Sequence, residues 1–274
     1  WGDIGISLRA IPAVLYGTGG RTAPDMLGSL GIPNNNCTMN EALDTIGEWS
    51  QEEGHHQVCF GNADCANIAY MDRAYLQVLR GADLCLADGI GLKLAGKILG
   101  QEVKQNVNGT DLFPKLCEVL SGKPIGLFLL GARDGVAQGV ADWVRTHFPQ
   151  VRVCGCQHGY FSTEEEAAVV QRIRDSGAHI LLVAFGAPKQ DMWIEKHLKD
   201  TGARVAMGVG GLFDFYSGRI SRAPEWVREI GMEWVYRLIQ EPGRLWKRYI
   251  IGNGLFLLRV LNDRVRGHRE RSGH

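Results

Sequence analysis

The 274-residue chain has no net formal charge, so its overall balance selects no partner. It has no C-x-x-C pair, and its seven cysteines are an odd number. Several sit inside apolar runs (VCF, LCLAD, KLCEVL), where a thiol serves as a small core residue. A reduced, cytosolic chain is the expectation. Cys154-x-Cys156 has no second ligand pair nearby, which argues against zinc. No apolar run approaches the ~20 residues needed to cross a bilayer. The first residues lack a basic start followed by an apolar block, so no signal peptide is expected. There is no G-x-x-x-x-G-K-[ST] phosphate loop. Gly208-x-Gly210-Gly211 lacks the third glycine of a dinucleotide fingerprint, and Gly17-x-Gly19-Gly20 precedes any strand. A nicotinamide oxidoreductase therefore lacks its signature.

What is present is a regular alternation. Thr38-x-x-Glu41 is a capping box that opens a helix through about Glu52. The pattern then predicts strand HQVCFGN, one helix over DCANIAYMDRAYLQVLRGA, strand DLCLADG, a short helix IGLKLAGKILG and helix GTDLFPKLCEVLSG. Strand PIGLFLLG, helix 134–148, strand VRVCG, helix 163–176, strand HILLVAFG, helix 188–199 and strand RVAMGVGG follow. Continuous apolar strands between amphipathic helices mean an α/β fold: a mostly parallel sheet flanked by helices. Ligands on such sheets bind at the carboxyl ends of the strands.

Charge is unevenly distributed. From Arg219 to His274 there are twelve Lys/Arg and six Asp/Glu, a net +6, which suggests a polyanionic partner. This segment is helical in pattern, with Pro242 and Gly252-x-Gly254 as breaks, and has no following strand. Three parts are expected: an extension over 1–26, a sheet domain over 27–222 and a basic helical appendage over 223–274. Residues 1–26 resemble the tail of bacterial polyprenyl-phosphate sugar-1-phosphate transferases, and read equally as a linker.

The strand-end motifs come in a fixed order: GNAD (Gly61–Asp64), ADGIG (Ala87–Gly91), NGTDL (Asn108–Leu112), GAPKQDMW (Gly186–Trp193) and GVGGLFD (Gly208–Asp214). SRAPEW and GMEWVYRLIQEPGRLWKR follow. From about Leu27 to Val260 this string resembles the WecG/TagA/CpsF family of bacterial glycosyltransferases. The resemblance implies a Rossmann-like domain that moves a sugar from a UDP-sugar to a polyprenyl-diphosphate-linked acceptor, with inversion and no cofactor. It implies the cytoplasmic face of the bacterial inner membrane as the place, an anionic membrane surface as a partner of the appendage, and no nucleic acid.

Such a transfer needs one carboxylate to take the acceptor proton and positive charge or N–H groups to stabilise departing UDP. Asp88, on a tight turn, is either that base or an N-cap for the helix behind it; the resemblance points to the base. Asn62 and Asp64 are candidates for nucleotide or acceptor contact, or a turn and cap. Asn108 and Asp111 come from NGTDL. Lys189 and Gln190 open a helix whose free N–H groups suit a diphosphate or a uracil edge, or are simply solvated. Trp193 is expected to pack its helix on the sheet. Gly210 and Gly211 let backbone approach a sugar nucleotide; Asp214 either contacts the donor or bonds local backbone. Arg237, Arg244 and Lys247 match the family's tail pattern and would share a face if their helix continued past Pro242; otherwise they are a solvated surface. Interleaved Trp and Tyr favour a membrane interface.

No D-x-D occurs, which fits metal-independent loss of UDP with the tail supplying charge. Phe60 stands where relatives have Thr, and Asn106 where they have Arg. Phe60 is a candidate to stack on a sugar, and both departures keep open a non-catalytic nucleotide-sugar or lipid-diphosphate binding module.

Overall fold

The computed structural model describes residues 25–27 and 31–272. The extension over 1–26 lies outside the described residues, apart from its last two positions. Asp25–Leu27 (β1) and Ile32–Asn34 (β2) form a small antiparallel ribbon. The main sheet contains His56–Gly61 (β3), Leu84–Ala87 (β4), Gly126–Gly131 (β5), Arg152–Gln157 (β6), Ile180–Ala184 (β7) and Val205–Gly208 (β8). Its order is β4-β3-β8-β7-β5-β6, and every neighbouring pair is parallel.

Strand composition explains the burial. β5 and β7 read GLFLLG and ILLVA and are buried along their whole length, as strands covered on both faces must be. Alternation decides the layers. Leu127 and Leu129 join one core with Val140 and Val144 of helix Val136–His147 and Phe113 and Leu116 of helix Gly109–Leu120. Phe128 and Leu130 face the other way, onto Ile173 of helix Glu166–Asp175 and Trp193 and Ile194 of helix Lys189–Thr201. Trp193 packs its helix on the sheet as expected.

The edge of β4 is closed by residue Asn35. Its backbone N–H donates to the Cys85 carbonyl at 2.9 Å, and its Oδ1 accepts from the Cys85 N–H at 2.7 Å. That satisfies a strand edge that would otherwise invite pairing.

Two expectations are corrected. The stretch DCANIAYMDRAYLQVLRGA is two helices, Ala63–Met71 and Arg73–Gly81. Asp72 divides them because its carboxylate accepts from the N–H groups of Ala74 and Tyr75, and a side chain that caps a new helix competes with continuing the old one. Gly252-x-Gly254 does not break the tail: Lys247–Gly252 winds as a π-helix and runs into helix Asn253–Ser272. The expected capping box at Thr38 is present in both halves, ahead of helix Met39–Trp49.

The tail packs against the sheet domain. Short helices Glu225–Glu229, Glu233–Gln240 and Pro242–Trp246 lead to the long last helix. On that helix Phe256 and Val260 are buried against Ala63 and Ala66 of one helix and Leu92 and Ala95 of another, Ile90–Leu99. The Asn67 side chain donates to the Gly252 carbonyl at 2.7 Å and accepts from Arg259 at 2.6 Å. Phe256→Ala should cost about 3–5 kcal/mol, the usual range for an emptied aromatic site. A thermal melt with limited proteolysis would check this: the midpoint should fall and the tail should be cut first, and an unchanged melt would contradict the packing.

Candidate functional site

At the carboxyl edge of β3 and β4 lies a cavity of about 330 Å³. Its floor comes from the sheet domain: Asn62, Asp64, Asp88, Gly89, Asn106, Asn108 and Thr110. Its roof comes from the tail: Arg228, Glu233, Trp234, Arg237, Arg248, Tyr249 and Asn253.

Asp88 follows the last residue of β4. Its N–H donates to the Gly61 carbonyl at 2.7 Å, and the next N–H, of Gly89, donates to Asn106 Oδ1 at 2.7 Å. Gly89 has φ of 92°, a conformation that disfavours any side chain. Gly89, not Asp88, is the N-cap of the following helix, and no side chain caps it. The Asp88 carboxyl is therefore not consumed by capping. Burial pushes it up to about 6, against a hydrogen bond from Asn62 and the charges of Arg248 and Arg237 that hold it down; Glu233 adds to the rise. A carboxylate poised near neutral pH suits a general base.

The other expected residues divide. Asn62 caps its helix, its Oδ1 accepting from the N–H groups of Asp64 and Cys65, and its side chain also reaches Asp88. Asp64 lines the cavity and pairs with Arg248 at 3.1 Å. Asn108 lines it too, while accepting from the Asp111 N–H at 2.8 Å and donating to Asp111 Oδ2 at 2.6 Å. Asp111 stands behind the wall. Its Oδ1 holds Arg222 at 2.8 Å and Arg228 at 3.2 Å. Although partial burial opposes it, hydrogen bonds from Asn108 and Arg222 keep this carboxyl below its ordinary range.

Lys189, Gln190, Gly210, Gly211, Asp214, Arg244 and Lys247 are not among the residues lining this cavity. Gln190 is buried, and its Oε1 accepts from the N–H groups of Gly186 at 3.0 Å and Gly210 at 2.9 Å, clasping the loops after β7 and β8. Lys189 is exposed over the Phe185 ring. A Cβ on Gly211 would stand 2.8 Å from the Arg237 guanidinium, so this glycine makes room for an arginine of the chain itself. Asp214 is buried and paired with Arg219 at 2.6 Å and Arg244 at 3.8 Å; Arg244 also meets Glu241. Lys247 is exposed beside Trp246. The three tail cations do not share a face, because the chain leaves the helical region at Glu241, with φ −131° and ψ 59°. Phe60 does not line the cavity. It is buried beneath Gly109, whose Cβ position lies 3.4 Å from the ring.

Arg237 is the distinctive cation. It lies 4.8 Å over the Phe215 ring, and its buried Nε has no hydrogen-bond partner among the described residues. Arg222, Arg228, Arg244 and Arg248 all face carboxylates. An unmatched guanidinium in a cavity is a ready anion site. Sequence reasoning missed Arg228, Arg248, Glu233, Trp234 and Tyr249 as wall residues; only the folded tail brings them over the sheet. Among the described residues, no group of three or more His, Cys, Asp or Glu is arranged to hold a metal ion.

A protein of Bacillus subtilis (strain 168) named N-acetylglucosaminyldiphosphoundecaprenol N-acetyl-beta-D-mannosaminyltransferase is 32% identical over 189 residues, 69% of this chain and 73% of its own. Its namesake in Bacillus spizizenii (strain ATCC 23059 / NRRL B-14472 / W23) is 34% identical, over 69% of this chain and 72% of its own. Another in Staphylococcus aureus (strain MW2) is 29% identical over 80% of this chain and 85% of its own. The model of the glycosyl transferase WecG/TagA/CpsF family matches residues 28–270. Matched by that model over most of its length, the chain belongs to the WecG/TagA/CpsF family of glycosyltransferases.

Proposed function

We propose that this protein is a metal-independent hexosyltransferase that moves a sugar from a UDP-sugar to a polyprenyl-diphosphate-linked sugar, with inversion, in cell-envelope polymer synthesis. The observation that carries the reading is Asp88: a half-buried carboxylate not used as a helix cap, its titration raised to about 6, facing a cavity roofed by arginines. The names of the relatives support an N-acetylmannosamine donor and an N-acetylglucosamine diphosphate-lipid acceptor.

In this reading the acceptor hydroxyl donates its proton to Asp88 as its oxygen attacks the donor's anomeric carbon. The bond from that carbon to the diphosphate oxygen breaks on the opposite face, and UDP leaves with the bonding pair. Arg237 stabilises the charge that develops, as a cation of the cavity roof with no ion pair among the described residues. Asn62 holds the base in place, and the Gly89–Asn106 bond fixes the turn behind it. Neither Phe60 nor Asn106 obstructs Asp88: one is core packing, the other a backbone brace.

No helix among the described residues is long and apolar enough to cross a membrane. Peripheral docking on the cytoplasmic membrane face is supported by the last helix and the π-helix before it. Ile250, Ile251, Leu255, Leu258, Leu261 and Val265 are exposed there, away from buried Phe256 and Val260. Each basic residue near an anionic bilayer adds about 1 kcal/mol.

Asp88→Asn should reduce transfer by roughly 10² or more while UDP binding survives. In the unaltered protein kcat/KM should fall as pH drops through about 6, where Asp88 takes up a proton. UDP release from UDP-N-acetylmannosamine with a synthetic lipid-diphosphate acceptor measures both. Near-normal turnover in the variant would remove Asp88 from the chemistry, and binding without turnover in the unaltered protein would favour a non-catalytic module. In the same assay EDTA should leave the rate unchanged; loss restored by Mn²⁺ would overturn metal independence.

A further inference from the structure

The cavity wall is polar and cationic, but part of its rim is not. Of the lining residues before Phe215, Ile90 is the one large apolar side chain, and it is 50% exposed. One helical turn on, Leu94 is 43% exposed on the same side of the helix. Beside Ile90, Gly231 lies in the wall, and its neighbours Ile230 and Met232 are 59% and 40% exposed. The two groups meet at Ile90 and Gly231. Gly231 has φ of 73°, and a Cβ there would lie 2.5 Å from Ile90 Cδ1, so the tail's turn rests directly on Ile90. Single exposed apolar side chains are ordinary. Four of them at the lip of a charged cavity mark a binding surface.

We propose that Ile90, Leu94, Ile230 and Met232 seat the first isoprene units of the acceptor's lipid chain. The assignment rests on the transferase reading above and deepens it. An acceptor with its sugar at Asp88, and Arg237 left to the departing UDP, has its diphosphate beside Arg228 and Arg248, both in the roof. Charge complementarity fixes that end. The other side of the diphosphate is a hydrocarbon, and it must leave the cavity over some part of the rim. The floor offers Asn62, Asp64, Asn106, Asn108 and Thr110, which repel it; the Ile90–Gly231 contact offers the apolar exit. Lys93, a wall residue between Ile90 and Leu94 in sequence, places a cation where diphosphate gives way to hydrocarbon. The surface is distinct from the exposed stripe on the last helix, because it adjoins the cavity and would touch one chain rather than a bilayer plane.

The test uses the full chain carrying Leu94→Gln, Ile230→Gln and Met232→Gln, three exposed positions at which the fold should survive. Two acceptors are compared in detergent micelles, where no bilayer exists: one with a long isoprenoid on its diphosphate, one with a short alkyl chain. Relative to the unaltered protein, kcat/KM should drop roughly tenfold or more for the long chain and change less than about twofold for the short one. Equal losses for both acceptors, or no loss for either, would overturn the seat. A loss that appears only when liposomes replace micelles would assign these residues to the bilayer instead and overturn it too. Failure of the unaltered protein to use either acceptor would sink the transferase reading itself, and the seat with it.

Discussion

Asp111 holds the tail over the sheet. Its backbone begins a helix that Asn108 caps, which fixes the carboxylate at the rim. That carboxylate then takes Arg222 and Arg228, residues from beyond the last strand. Without it, two guanidinium groups would sit half-buried and lose their shared partner, a loss of roughly 1.5–3 kcal/mol for each bond to a charged group. Everything in the roof follows from this attachment, because Glu233, Trp234 and Arg237 come next along the chain. A second attachment, Phe256 and Val260 in the core, fixes the far end. The roof is thus tied at both sides, and the cavity is the space left between.

The roof makes the floor chemically useful. An aspartate at the open end of a strand is solvated and stays a weak base; beneath the tail, desolvation lifts Asp88 toward neutrality. Most of the arginines are neutralised by carboxylates, as Arg248 is by Asp64, so the cavity does not carry a large unmatched field. Arg237 is the exception, stacked on Phe215 with its Nε unpartnered among the described residues. A carboxyl raised toward neutrality and a cation with no ion pair among the described residues are what the proposed group transfer requires.

The sheet was legible in the sequence because its strands are continuous apolar runs, as in ILLVA and GLFLLG, and because their ends carry small and polar residues. Asp88 is legible from its Asp-Gly turn: spacing alone weighs capping and catalysis equally, the resemblance points to the base, and Gly89 holds the cap position. The division at Asp72 was hidden: Asp is tolerated mid-helix, and only its bonds to Ala74 and Tyr75 reveal a new start. The tail was harder. Its inward residues, Phe256 and Val260, are embedded in the broadly apolar run YIIGNGLFLLRVL, so no periodicity separates packed from exposed positions. Arg248 and Lys247 are neighbours of like charge; helical phase alone sends one to Asp64 and the other outward. Gln190 and Asp214 look like ligand groups in a motif string, and in the fold they hold loops and arginines together.

The central claim is that the tail, held by Asp111, creates the environment of Asp88. Infrared titration of the Asp88 carboxyl, with Asp88→Asn as the blank, tests it in the unaltered protein and in Asp111→Asn. The account expects a midpoint of about 6 in the unaltered protein. In Asp111→Asn the loosened roof should admit water and move the midpoint down toward the ordinary aspartate value of about 4, since burial outweighs the arginines that oppose it. A folded Asp111→Asn protein whose Asp88 still titrates near its unaltered midpoint would contradict the claim.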